Sequence, residues 1–224
     1  MKVLILDSGP LINLSMNGLL YLLEKLKKSS NIEMLITDKI IEEVVKRPSN
    51  IPRFELGALQ INELIKSGIV KAPEYLEINS KQLSEETKKV MGILNSSITA
   101  KGKCIKLVSE AESSCLALSK ILNERNIENI IAIDEKTTRI LLEKPENLEK
   151  VMSEKLHTKI KISYAQLNRL DEFKFIRSSE LVYVAYKLGL TEIKGEKVLE
   201  AMLYATKFKG TSISWDEISV LKKL

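Results

Sequence analysis

Residues 3–14, VLILDSGPLINL, decide the fold of this chain, because an unbroken apolar run there ends in an acid and a helix start. Val3 to Leu6 predicts a short, fully buried strand with Asp7 at its carboxyl end, and Pro10 favours a helix directly after it. Ligands bind at the carboxyl edge of the strands in open α/β sheets, so Asp7 is a candidate site residue from its position. The alternative role for Asp7 is to cap the helix that follows.

Two further stretches repeat this order of strand, polar residue and helix. Residues 33–48, EMLITDKIIEEVVKRP, predict a strand from Met34 to Ile36, a cap at Thr37 and a helix through Lys46. Residues 129–142, NIIAIDEKTTRILL, predict a buried strand from Ile130 to Ile133 that ends in Asp134, followed by a helix. Repeated strand–helix units predict an α/β fold with a mainly parallel sheet.

The best-marked helix lies in residues 107–126, LVSEAESSCLALSKILNERN. Ser109 followed three residues later by Glu112 has the form of a capping box, which puts Glu112 in the first turn. Glu112 is therefore either a capping carboxylate or a site residue. Cys115 is expected to be a small buried apolar side chain.

The composition indicates a folded protein of a reducing compartment. The 224 residues are 44% hydrophobic and 29% charged, and the formal net charge of +5 favours polyanionic partners. Cys104 and Cys115 have no zinc-site spacing, and His157 is the single histidine. No run of about 18 apolar residues occurs, so we expect a cytoplasmic protein without a membrane span.

The second half of the chain adds elements around the predicted core. Residues 96–104, SSITAKGKC, predict a loop in which Lys101 and Lys103 flank a glycine, and this loop is either a phosphate-binding surface or a solvated connection. Residues 145–177 predict one helix, short strands at Ile160–Ile162 and Phe173–Ile176, and a lysine surplus near His157. Residues 178–224 predict three helices with apolar faces that pack on the core.

Four acids are expected at one edge of the sheet: Asp7, Glu43 or Glu42, Glu112 and Asp134. Helical periodicity puts Glu42 and Glu43 on opposite flanks of the same apolar stripe and does not choose between them. Crowded carboxylates repel each other and raise one another's pKa unless a cation is present. Mg²⁺ or Mn²⁺ prefers oxygen ligands, and such a site is suited to phosphodiester cleavage by an activated water.

A family resemblance is carried by four stretches in one order along residues 1–144: ILDSGPLINL, ITDKIIEEVVKRP, EAESSCLALS and IAIDEKTTR. In content and order they resemble the PIN-domain ribonucleases. The third stretch is the most specific, because archaeal and bacterial members have a similar glutamate followed by Ala-x-Cys-Ile-Ala-Leu-Ala, matched here by residues 112–119. The closing stretches IRSSELVYVAYKLGL and KGTSISWDEIS also look like the helical tail of some prokaryotic PIN proteins.

The resemblance implies a PIN-like three-layer α/β/α fold with a mainly parallel sheet and extra C-terminal helices. It divides the chain into a PIN-like catalytic core at 1–144, an insertion with the last strand region at 145–177, and C-terminal helices packed on the core at 178–224.

The resemblance also assigns roles to residues. Asp7, Glu112 and Asp134 are implied as ligands of Mg²⁺ or Mn²⁺, and Glu43 is favoured as the fourth catalytic acid because an aliphatic residue, Val44, follows it. Polar neighbours are implied as Ser8 beside the first acid, Thr137 or Thr138 for a metal-bound water, and Arg139 for a phosphate. This chain departs from the family pattern at Ala111, where a glycine is usual, and at Glu135, which leaves the last acid as Asp134 or Glu135.

The function implied by the resemblance is a metal-dependent endoribonuclease, either a toxin of a toxin–antitoxin pair or a housekeeping nuclease. RNA, an antitoxin protein and a second copy of the chain are the partners that it implies. The alternative is a PIN-like module that has kept the fold and binds RNA or protein without cutting, because fold does not determine function.

Overall fold

The computed structural model describes residues 1–170, 172–195 and 197–224 of the chain. The strands are β1 (Lys2–Leu6), β2 (Ile32–Leu35), β3 (Val70–Lys71), β4 (Ile98–Ala100), β5 (Lys103–Cys104), β6 (Glu128–Ala132), β7 (Ile160–Ile162) and β8 (Phe175–Ile176). The helices are α1 (Ser8–Met16), α2 (Tyr21–Ser29), α3 (Asp38–Ile41), α4 (Pro52–Lys66), α5 (Ser80–Ser97), α6 (Glu110–Glu124), α7 (Lys136–Glu143), α8 (Pro145–Lys155), α9 (Tyr164–Leu167), α10 (Ser178–Lys187), α11 (Val198–Phe208) and α12 (Trp215–Leu221).

The central sheet has five parallel strands in the order β3-β2-β1-β6-β8, as the alternation of strands and helices predicts. The apolar run Val3–Leu6 is buried because β1 has strands on both sides and helices on both faces. The chain leaves β1 toward β2 on one side and returns to β6 on the other. The ends of β1 and β6 therefore form the crevice where such sheets bind ligands.

Helices cover both faces of this sheet and give the three-layer α/β/α architecture. α6 is the most buried of them, with ten buried residues from Ala111 to Leu122, as its apolar spacing predicts. Its capping box at Ser109 and Glu112 is also confirmed. No helix among the described residues combines the length and apolar character that a membrane crossing needs.

The C-terminal helices pack on the rest of the chain. Leu181, Val182 and Ala185 of α10 belong to the same buried cluster as β1 and β6. α11 and α12 share a second, smaller cluster, formed by Leu199, Leu203, Ile213 and Ile218.

The loop predicted over residues 96–104 is wrong, because β4 and β5 form a hairpin there. Its two turn residues, Lys101 and Gly102, have φ of 49° and 75°, which a two-residue hairpin turn requires and glycine adopts readily. β7 pairs with β4 on the other side, so the insertion builds a separate three-stranded antiparallel sheet in the order β5-β4-β7. β7 lies about 60 residues after β4 in the sequence, which is too far for local sequence rules to predict that the two strands pair.

The helix predicted through Lys46 and three strand boundaries also need correction. α3 ends at Ile41, and Glu42–Lys46 form a π-helical turn with a hydrogen bond from the Arg47 N–H to the Glu42 carbonyl. β2 and β6 start at Ile32 and Glu128, earlier than their apolar runs, because the residues opposite Lys2 and Val3 also pair. β8 spans only Phe175–Ile176.

Candidate acidic site at the carboxyl edge of the sheet

The strand ends bring Asp7 and Asp134 close to each other. The Asp7 N–H continues the ladder by donating to the Ala132 carbonyl at 3.0 Å. Gly9 lies between the two acids, since a Cβ at Gly9 would lie 3.2 Å from the Asp134 Cβ and 3.7 Å from Asp7 Oδ2. A larger residue at position 9 would therefore push the start of α1 away from the end of β6.

Asp7 carries an unusual carboxylate. Asp7 occupies the N-cap position of α1 without a side-chain capping hydrogen bond of normal geometry, and it is only 2% exposed. Oδ1 is buried and has no hydrogen-bond partner among the described residues. Burial, with the nearby charges of Glu112 and Glu43, raises the pKa of Asp7 to about 7, although the N–H groups of Ser8 and Gly9 partly offset this.

Glu112 is both a capping residue and a member of the acidic cluster. Its Oε2 accepts from the Ser109 N–H at 2.7 Å, and its own N–H donates to Ser109 Oγ at 3.2 Å. Burial and the charges of Glu135 and Glu43 raise its pKa, and the hydrogen bonds from Ser109 act in the opposite direction. The capping box therefore fixes the direction of the Glu112 carboxylate.

Glu43 lies in the π-helical turn and contributes to the same negative field. Its charge raises the pKa of Asp7 and of Glu112. It also lines a groove of about 590 Å³ between α1 and α4. The neighbouring Glu42 pairs with Arg47 at 3.2 Å. Of the two glutamates that periodicity left open, Glu43 is the one that acts on Asp7 and Glu112.

Asp134 is held by a buried hydrogen-bond network. Its Oδ1 accepts from the Ser178 N–H at 2.8 Å, and its Oδ2 accepts from Asn13 Nδ2 at 3.3 Å. Asn13 Nδ2 also donates to the Thr206 carbonyl and to Thr211 Oγ1, both at 2.9 Å, and the Thr211 and Ser178 hydroxyls share a hydrogen bond. Burial raises the pKa of Asp134, and these hydrogen bonds partly counter the effect. Asp134 thus joins α1 to α10 and to the segment between α11 and α12.

The polar residues predicted near the acids occupy different surroundings. Glu135 caps α7 by accepting from the Thr138 N–H at 2.6 Å, and its charge acts on Glu112. Thr138 is fully buried, and its Oγ1 has no partner in the described chain. Arg139 donates to Ser212 Oγ at 3.2 Å, toward the C-terminal segment. Ser8 and Thr137 are partly exposed and make no side-chain hydrogen bond among the described residues.

The side chains buried beneath the acids are uncharged. Cys115 is fully buried, and its Sγ lies 4.0 Å from the Leu6 carbonyl oxygen. Burial, followed by the charges of Asp7 and Glu112, raises the pKa of this thiol well above its ordinary value, so it stays protonated. Beside it, Ser114 Oγ and Thr37 Oγ1 are hydrogen-bonded at 2.7 Å.

Sequence reasoning missed Gly9, Asn13, Ser178 and Thr211 as members of this site. For Asn13 a signal was present, since it is the one amide in the apolar start of α1, PLINL, where a polar side chain needs a buried partner. The partners of Asn13 lie about 120 to 200 residues further along the chain. No local pattern identifies them.

The oxygen atoms of Asp7 and Glu112 are groups at this site that could bind a divalent cation. Within the described residues, no three or more His, Cys, Asp and Glu side chains are arranged to hold a metal ion. Mg²⁺ typically takes only one or two carboxylates directly and keeps several waters. The unpartnered Asp7 Oδ1, with the repelling carboxylate of Glu112 nearby, fits that smaller demand.

Comparisons with known proteins give no identification. No family model matches the chain, and neither a curated protein nor a solved structure does. The fold class therefore rests on the sheet order and its helices, and the chemistry rests on the acids themselves.

Proposed function

We propose that this protein is a metal-dependent ribonuclease that hydrolyses phosphodiester bonds of RNA at the acidic site. The observation that carries the proposal is Asp7, whose buried carboxylate has an unpartnered oxygen and a pKa near 7 beside two further acids. Carboxylates arranged in this way destabilise one another until positive charge arrives. The resemblance of the four acidic stretches to PIN-domain ribonucleases supports the same function.

Asp7 and Glu112 are the residues that would hold the cation, Mg²⁺ or Mn²⁺. A cation there would supply positive charge for activating water and for stabilising the leaving oxygen. Glu43 and Glu135 would add negative charge around them. Asp134 would hold the end of β6 at a fixed distance from α1 through its hydrogen bonds. Alternatively, Asp134 would give up one of these hydrogen bonds and become a ligand of the cation. Asp134 as a direct ligand stays a prediction.

The second candidate is a module that binds RNA or protein without cutting it. The commitment of both Asp134 oxygens to protein donors favours this candidate, because an acid engaged in this way is less free to coordinate. The two candidates share the fold and differ in whether RNA is cleaved. In both, RNA is the first partner to test, and an antitoxin, a homodimer and a cytoplasmic location stay predictions.

The deciding experiment is an RNA cleavage assay with and without divalent cations. Wild-type protein should cleave RNA in Mg²⁺ or Mn²⁺, lose activity in chelator and leave 5′-phosphate and 3′-hydroxyl ends, as the family resemblance implies. Asp7→Asn and Glu112→Gln should abolish cleavage and also the rise in melting temperature that Mn²⁺ produces by binding the folded state. Asp216→Asn, an exposed acid of α12, is the matched control and should leave both intact.

RNA binding without cleavage under any divalent cation would favour the binding module. Cleavage that survives both acid substitutions would show that the activity belongs to a contaminant or to another site.

A further inference from the structure

Two lysine-rich stretches that are far apart in sequence meet in the small antiparallel sheet. Lys101 lies in the β4–β5 turn and Lys103 begins β5, while Lys159 directly precedes β7 and Lys161 lies within it. In the register, Lys161 lies opposite Thr99 on one face of the sheet, whereas Lys103 lies opposite Ala100 and shares the other face with the buried Ile160. A concave surface of about 610 Å³ lies here, lined by Lys101, Lys159, Lys161, His157 and Thr99.

These lysines are exposed and form no ion pair with an acid among the described residues. None of Lys101, Lys103, Lys159 and Lys161 forms an ion pair within 4.0 Å with an acid of the described residues, whereas ten lysines elsewhere do. Glu146 and Glu149 line a neighbouring groove that shares Lys159, and they bound the basic surface there. Lys101, Lys159 and Lys161 line one concave surface and repel one another, so the folded state places them together at a cost in free energy that a bound polyanion would remove.

A short segment of chain, fixed by hydrogen bonds, connects the β5-β4-β7 sheet to the acidic site. After β5 the chain runs through residues 105–108 to the cap of α6, and the Asn95 side chain holds that segment by accepting from the Leu107 and Val108 N–H groups at 2.9 and 3.1 Å. Asn95 also donates to the Val108 carbonyl at 3.0 Å. The eight peptide links from Cys104 to Glu112 limit the distance between the Cα atoms of these two residues to at most roughly 30 Å.

The chemistry of the surface selects the kind of ligand. Lysine ammonium groups act as point charges for phosphate. No phenylalanine, tyrosine or tryptophan is among the described residues that line it, so the His157 imidazole is the one ring there on which an unpaired base could stack. Double-stranded RNA, which proteins recognise mainly through shape, phosphates and 2′-hydroxyls, matches these features.

We propose that the β5-β4-β7 sheet, through Lys101, Lys159 and Lys161, is a docking surface for the phosphodiester backbone of double-stranded RNA. The docking proposal extends the ribonuclease proposal, and it rests on the ribonuclease proposal only for the claim that the docked RNA is cleaved at the acidic site. The contacts position the RNA without reading its sequence, so cleavage preference would arise elsewhere.

The test compares a patch variant with a control of equal charge. The patch variant replaces Lys101, Lys159 and Lys161 with glutamine. The control replaces Lys81, Lys88 and Lys209, which are also exposed and form no ion pair among the described residues, with glutamine. Binding of a fluorescent RNA duplex is measured by anisotropy in chelator, so that cleavage does not interfere, over a series of salt concentrations.

We expect the patch variant to bind on the order of 10-fold more weakly at 0.1 M salt, with a salt slope lower by about 2 to 3, since each phosphate contact contributes about 0.9. The control should bind like wild type. A patch variant with wild-type affinity and slope, an equal loss in the control, or a loss confined to single-stranded RNA would each overturn the proposal. Binding is measured in chelator, where no cleavage is needed. The test therefore decides the docking proposal even if the protein does not cleave RNA.

Discussion

At the scale of single residues, the main feature is the buried carboxyl group of Asp7, whose Oδ1 has no hydrogen-bond partner among the described residues. The Asp134 carboxylate, one strand away, is equally buried but accepts hydrogen bonds from Ser178 and Asn13. The two acids therefore differ in their readiness to take on a new ligand. Asp7 is the group that gains most from a cation or a proton.

The metal-free protein should become less stable as the pH rises, because Asp7 binds its proton more tightly in the folded protein than in the unfolded chain. Asp7 ionises near 3.8 in the unfolded chain and near 7 in the folded protein, so between these values the folded state holds a proton that the unfolded state has lost. Stability then falls through this interval, by at most about 4 kcal/mol from this group. The check is chemical denaturation in chelator between pH 4.5 and 8.

Asp7→Asn should flatten this pH dependence, because asparagine does not ionise. Glu112 and Asp134, whose pKa values are also raised, should leave a smaller slope. Asp216→Asn should keep the wild-type slope. An Asp7→Asn protein with an unchanged slope would show that Asp7 is not the titrating group.

At the scale of elements, the first turn of α6 combines helix capping with the placement of a site acid. The same reciprocal cap occurs in α12, where the Ser214 N–H donates to Glu217 Oε2 at 2.7 Å and the Glu217 N–H donates to Ser214 Oγ at 3.1 Å. The two helices differ in what their glutamates approach, because Glu217 pairs with Arg177 and Glu112 approaches Asp7.

This matched pair separates stability from function. Ser109→Ala and Ser214→Ala should each lower the free energy of unfolding by about 1 kcal/mol, the usual loss for a missing cap. Only Ser109→Ala should also weaken the Mn²⁺-induced rise in melting temperature, because it releases the Glu112 carboxylate from its fixed direction. Equal Mn²⁺ responses in the two variants would mean that the cap does not position the acid.

At the scale of the whole molecule, the C-terminal helices complete both the core and the site. α10 fills the main buried cluster, and Ser178 and Thr211 belong to the Asp134 network. Arg177, only 6% exposed, pairs with Glu180 at 2.6 Å and with Glu217 of α12 at 2.9 Å. Loss of this segment would expose apolar surface and leave buried polar groups without partners.

Truncation after Phe175 should therefore give insoluble or unfolded protein. The control removes only residues 222–224, which are exposed and contribute the surface ion pair of Lys222 with Glu200, a type of contact worth little. Circular dichroism and thermal melting compare the two. If the longer truncation melts cooperatively at the full-length temperature, the tail is a separate module.

The sequence alone determined the fold class, most elements and the acids. Apolar runs that end in Asp7 and Asp134, the Ser109 cap and the spacing within α6 are local signals, because neighbouring residues set strand, cap and helix preferences. These signals predicted a parallel sheet with acids at its carboxyl edge, and the strand ends do bring Asp7 and Asp134 to that edge. They did not predict the β4–β5 hairpin, whose Lys-Gly turn lacks the usual asparagine or aspartate.

Only the tertiary structure decided what each acid contacts. It distinguishes Glu43 from Glu42 through a π-helical turn, which changes side-chain direction relative to the α-helical periodicity. It surrounds Asp134 with donors from positions 13 and 178 and leaves Asp7 Oδ1 without one. The physical reason is that burial and hydrogen-bond competition depend on which distant segments pack together, and that is settled when the C-terminal helices close over the sheet.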